Sequence, residues 1–118
     1  SADATPFEGG KQAMDALMKR TPRPDAIIFA NDNVAAGGLL AGQRAGVRIP
    51  EDCAVMGFGD YAFAEMLLPS LTTIKPPARQ IGEVAALRVL QALGVIELAE
   101  PLQQLNLLDC ELVERESA

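Results

Sequence analysis

Two short apolar runs constrain this chain more than any other feature. Asp25–Ala30 (DAIIFA) and Cys53–Phe58 (CAVMGF) are continuous rather than alternating, the pattern of strands buried on both faces of a parallel sheet. Between them Asn31-Asp32-Asn33, a cluster of cap formers, opens the segment VAAGGLLAGQRAG, which reads as a helix closed by Gly46. Gly37, Gly38 and Gly42 weaken that helix but let it lie close against a sheet. Strand, helix and strand over residues 25–58 make a βαβ unit, so the two strands should run parallel through a right-handed crossover.

The rest of the chain continues the alternation. Residues 8–20 carry Ala13, Met14, Leu17 and Met18 at helical spacing ahead of Pro22 and Pro24. Residues 61–68 (YAFAEMLL) are expected as a short helix stopped by Pro69, and Leu71–Ile74 as a brief third strand. Lys75-Pro76-Pro77 then breaks the chain before Ala78–Leu93, the longest expected helix. Its apolar residues (Ile81, Val84, Leu87 and Leu90, with Ala86, Val89 and Leu93) cover more than one stripe, so protein is expected on two of its sides. Residues 102–113 read as a terminal strand and Glu114–Ala118 as a polar tail. The expected class is α/β, with a mainly parallel sheet and flanking helices.

Composition narrows the chemistry. The 118 residues form one small domain or part of a larger one, and 49% hydrophobic content is enough to bury a core. There is no histidine, which removes imidazole acid–base catalysis and every His-ligated metal site. Ten basic against sixteen acidic residues give −6, so the average surface repels a phosphate backbone. Cys53 and Cys110, each inside an apolar run, are expected as buried free thiols. No apolar run approaches the roughly 20 residues of a membrane span, and Ser1–Pro6 is not a signal peptide, so a cytoplasmic location is expected.

Ligands of open parallel α/β sheets bind beyond the carboxyl ends of the strands. Strand 25–30 delivers Asn31, Asp32 and Asn33 to that rim, and strand 53–58 delivers Gly59 and Asp60. Amides and carboxylates there suit a hydroxyl-rich small ligand, and the same residues suit helix capping; one side chain can do both. Gly57–Ala62 matches the dinucleotide fingerprint G-x-G-x-x-G/A, but Pro69 leaves too short a helix after it and Lys75 stands where a ribose-binding acid belongs. Ser70, Thr72 and Thr73 have no histidine partner and no G-x-S-x-G elbow. The pairs Glu51/Asp52 and Asp60/Glu65 read as turn and helix residues, and Lys19-Arg20 with Arg23 as cations at a helix end. The residues thus describe a small-molecule-binding unit with no catalytic constellation, no metal site and no cofactor.

At DAIIFANDNVAAGGL the chain resembles the LacI/GalR family of bacterial repressors, whose sensor domains share the type I periplasmic-binding-protein fold, a Rossmann-like architecture. The pieces AND-x-x-A-x-G, G-x-R-I-P-E-D, V-x-G-F and P-x-L-T-T-I follow in family order over about residues 5–113. GFGD followed by ARQIG is most similar to the gluconate-type repressors. The resemblance implies that residues 1–118 are the C-terminal portion of an effector-binding domain, with helix 78–93 crossing back to an N-terminal subdomain. It also implies that the DNA-reading helix-turn-helix and most of that subdomain are absent, so that operator DNA is reached only through the missing part. Asn31 matches the effector-contacting asparagine. Asp60 stands one place after the usual aspartate, whose slot is Gly59 behind Phe58. Ala78 takes a place that some members fill with an aromatic. Arg79 or Lys75 would then supply the cation for a sugar acid.

The family's homodimer face matches Ala36, Leu39 and Leu40 with Phe63, Met66 and Leu67, and helix 61–68 is too short to bury its three apolar side chains on its own sheet. The implied protein is a sugar- or sugar-acid-sensing repressor, cytoplasmic and homodimeric, without enzyme activity or membrane contact. The alternatives are a secreted sugar-binding protein of a transport system and, further off, a small α/β enzyme. Two unpaired thiols and the lack of a nucleophile motif favour the repressor.

Overall fold

The computed structural model of the chain describes residues 4–97 and 107–118. They fall into two compact units, one running up to Lys75 and including Leu112–Ala118, the other within Pro76–Glu111.

Helix α1 (Pro6–Met18) starts where Thr5 accepts the Glu8 N–H on its Oγ1 at 3.2 Å and Pro6 supplies a preset φ. Strand β1 (Ala26–Ile28), helix α2 (Asp32–Arg44) and strand β2 (Ala54–Phe58) form the expected βαβ unit. β1 and β2 are parallel with Ile27 opposite Val55, and β3 (Thr72–Lys75) runs parallel on the far side of β2 with Gly57 opposite Thr73. β4 (Glu111–Val113) completes the sheet order β1-β2-β3-β4. The expected terminal strand is thus confined to its last three residues; positions 102–106 lie outside the described residues.

One face of the sheet is covered. Met14 of α1 and Ala35 and Leu39 of α2 enclose Ile27, Phe29, Cys53, Val55 and Leu71. α2 lies against α1 so closely that a methyl group on Gly37 would stand 1.9 Å from the Phe7 carbonyl oxygen. The other face is not covered within this unit: Ile28 is 74% exposed and Phe58 42%. Burial of these strands on both faces is therefore corrected, because both helices of the unit sit on the same side.

Three further expectations change. Residues 61–68 form only a 3₁₀ turn, Ala64–Met66, without a side-chain cap; Leu67 is already extended ahead of Pro69. The tail is not a free polar end. Ser117 is fully buried, accepts the Val55 N–H on its carbonyl at 2.8 Å and donates its Oγ to the Val55 carbonyl at 2.6 Å. Its Oγ also accepts the Thr72 N–H at 2.9 Å, so the tail supplies pairing at the amino ends of β2 and β3. Cys53 is buried as expected but Cys110 is exposed, since it lies in the irregular stretch leading into β4.

In the second unit, α3 (Ala78–Ala92) forms where expected but buries no residue. Ile81, Leu87, Val89 and Leu90 are 37–58% exposed. Two-sided cover is therefore not found among the described residues. A groove of about 430 Å³ runs along α3 between Ile81, Val84, Arg88 and the segment bearing Leu107, Leu108 and Cys110.

Candidate functional site

The carboxyl ends of β1 and β2 bring Asn31–Asn33 and Phe58–Tyr61 to one rim, and a buried carboxylate fixes both loops. Asp32, the first residue of α2, is fully buried. One of its oxygens accepts the Thr73 hydroxyl from mid-β3 at 2.6 Å; the other accepts the Tyr61 N–H at 2.7 Å. Gly57 makes this possible, because a methyl group there would lie 2.2 Å from the same carboxylate. Asp32 is therefore a structural cross-link between α2, β3 and the loop after β2. Sequence reasoning placed it on the rim without separating it from its neighbours; the signal was Gly57 on the adjacent strand.

Asn31 caps α2. Its Oδ1 accepts the Val34 N–H at 3.0 Å from an extended backbone (φ −158°, ψ 172°). Its amide nitrogen donates to no group among the described residues, so capping consumes the acceptor and leaves both donors for a ligand.

Gly59 (φ 123°) and Asp60 (φ 52°) turn the chain through the left-handed region. Asp60 does not stand free: its Oδ1 accepts from Arg115 Nη2 at 2.8 Å, with both side chains 17% exposed. Arg115 also donates to the Leu71 carbonyl at 2.9 Å and, through its backbone N–H, to Thr72 Oγ1 at 2.8 Å. The Asp60 charge is thus matched from within the fold by a residue that sequence reasoning placed in a polar tail. Phe58 stands exposed at the end of β2. Arg79 belongs to the other unit, on the first turn of α3, 93% exposed and paired with Glu83 at 3.1 Å.

Of the residues matched to a dimer face, Ala36 and Leu39 are 4% and 0% exposed and cannot form one. Leu39 packs in the core and Ala36 is enclosed beside it, because this side of α2 faces its own sheet and α1. Leu67 packs partly on the same core, and Phe63 lies edge-on to Tyr61. Leu40 and Met66 remain open, at 41% and 78%.

A parallel sheet with preset loops at its carboxyl rim, and with the Asn31 donors unspent among the described residues, is the arrangement in which open α/β sheets take their ligands. Residues 2–118 match the periplasmic binding protein-like domain family. The chain is 47% identical over 78 residues to a lactose operon repressor of Rhizobium radiobacter, covering 66% of this chain and 69% of that one. It is 33% identical over 108 residues to the transcriptional regulator GntR of Pseudomonas aeruginosa, 92% of this chain but 31% of that regulator. A LacI family transcriptional regulator from Lactobacillus casei, solved with bound sucrose, superposes with a TM-score of 0.75 at 34% identity, covering 97% of this chain and 41% of that one. The chain belongs to this periplasmic binding protein-like family, among the LacI-family transcriptional regulators. It spans about a third of GntR and two fifths of the solved regulator.

Proposed function

We propose that this chain is the effector-sensing part of a LacI-family repressor that answers to a sugar or a sugar acid in the cytoplasm, and that it catalyses no reaction. The observation that carries this is Asn31. Its backbone and Oδ1 are held by capping, the neighbouring loop is locked by Asp32, and its two amide donors are unspent at the carboxyl rim. Such a donor pair meets sugar hydroxyls without rearrangement. In the complete regulator, operator DNA would be read by a segment outside this sequence, consistent with the −6 charge here. Helix α3 would cross to an N-terminal subdomain, which its exposed apolar side chains fit. Relatives that are transcription regulators weigh against a secreted transport protein.

Replacing Asn31 by Ala in the full regulator should weaken effector binding by about 1–3 kcal/mol, through lost donors to a buried ligand. Asn31→Asp, which keeps the cap oxygen but not the donors, should bind as poorly while retaining the helix. Calorimetric titration against glucose, galactose, ribose and gluconate measures this; unchanged affinity for the sugar that binds would leave Asn31 as a cap alone.

Self-association is the second part of the proposal. Leu40 and Met66, with Phe7 and Leu68 at 42% and 78% exposure, leave apolar surface on the α1–α2 side of this unit. The side-chain amide of Gln43 donates to the Leu68 carbonyl and ties the 64–68 turn to α2. An isologous contact over this surface accounts for its exposure. Light scattering should show a dimer at tens of micromolar, a range chosen to reveal moderate affinity, and Met66→Asp should return it to monomer; a monomeric parent chain would refute the contact.

A further inference from the structure

Beyond Asn31, the rim loop after β2 holds an aromatic ring, Tyr61, that is set in place and yet 41% exposed. Tyr61 is fixed three times over. Its backbone N–H donates to the buried Asp32 carboxylate. Its ring meets Phe63 edge-to-face, with centroids 5.8 Å apart and planes at 88°. Its flank lies over Gly59, where a methyl group would stand 2.4 Å from Cε1. Despite these restraints Tyr61 is 41% exposed, and its hydroxyl bonds to no group among the described residues. Phe58, at the end of β2, is also exposed. A rigid, half-bare phenol costs little to order on binding, because its rotamer freedom is already spent.

We infer that Tyr61 is a specificity-determining residue of the effector site and that the effector is a closed-ring sugar, whose apolar C–H face lies on the Tyr61 ring. The negative face of an aromatic ring attracts polarised C–H bonds, and a pyranose presents several on one side while an open-chain polyol presents no such face. The electrostatics agree. The Asp60 charge is already met by Arg115 and Asp32 is buried, so neither carboxylate stands free as a counter-charge or a repelling group at the ring. Gly59 is integral to the device, since a side chain at that position would displace the Tyr61 ring. This inference rests on the proposed sugar site at the carboxyl rim.

The chain contains one tyrosine and no tryptophan, so a ring-labelled tyrosine reports on Tyr61 alone, while backbone amides of Asn31–Asn33 and Gly59–Asp60 report on the rim. Nuclear magnetic resonance titrations of the 118-residue chain with methyl β-glucoside, methyl β-galactoside and methyl α-mannoside should move the rim amides and the Tyr61 ring at one midpoint for at least one of them. Glucitol and gluconate should bind more weakly. Tyr61→Leu should raise that midpoint on the order of tenfold, the effect of losing one aromatic contact, and Tyr61→Phe should restore most of it. Rim amides that move while the Tyr61 ring stays still would overturn the inference and leave the sugar site standing, as would tighter binding of gluconate or glucitol. A rim that responds to none of the five compounds, in this chain and in the full regulator alike, would overturn both.

Discussion

The two units are built from the same few apolar residue types and use them in opposite ways. In the first, Met14, Leu39, Val55 and Leu71 are 0–1% exposed, and α1 and α2 are held by what they bury against the sheet. In the second, α3 carries Ile81, Val84, Leu87, Val89 and Leu90 and buries none of them. Helical pattern alone therefore says where a helix forms, whereas burial says where the stability lies. The rim loops belong to the first unit, so the binding geometry stands on the well-buried part of the chain.

The sharpest test of that contrast uses the two thiols. Cys53 is fully buried, and burial, with the nearby Asp25 charge second, pushes its thiol up from the usual cysteine value. A raised value means less thiolate at neutral pH, and burial bars the reagent as well. Cys110 is exposed. Iodoacetamide should therefore label Cys110 about a thousandfold faster than Cys53, which corresponds to roughly 4 kcal/mol of opening. Comparable rates would erase the distinction between the units.

Next in size is Gly37→Ala. The added methyl would be driven against the backbone of Phe7, which cannot swing aside as a flexible side chain does. Separating α1 from α2 should cost about 3 kcal/mol, read as a lowered urea midpoint for loss of the Tyr61 signal. An unchanged midpoint would mean that the helix pair has slack, and that the burial contrast is overstated.

Much of this was legible before the structure. The βαβ unit, α3 and the rim position of Asn31 follow from short apolar runs and cap residues, which are local signals. The failures share a different cause. Residues 61–68 have helical composition, but Asp32 captures the Tyr61 N–H and Leu67 turns extended before Pro69, so a partner 29 positions away decides the conformation. Arg115 and Ser117 sit in a polar tail whose letters do not show that they bond to Asp60, Leu71, Thr72 and Val55, more than 40 residues distant. Ala36 and Leu39 were matched to a dimer face by position, while helical phase turns them onto the core and leaves Leu40 outside. Long-range pairing and helix phase are properties of the folded chain, and the sequence carries them only weakly.

The smallest expected effect has the opposite sign to Gly37→Ala. Gly82 lies in the interior of α3 with nothing within 4 Å of a methyl group placed on it. Alanine there meets no obstacle and removes the excess backbone freedom of glycine, which favours the helix by about 0.5–1 kcal/mol. Gly82→Ala should slow amide exchange across α3 by roughly twofold to fivefold, by that same free energy. Exchange in β2 should not change, because the gain is confined to a helix that buries nothing. The same substitution thus destabilises where helices touch and stabilises where one stands bare. If the β2 amides slow in step with α3, the two regions open as one cooperative body and the contrast drawn from burial fails; if α3 alone responds, each region carries its own stability.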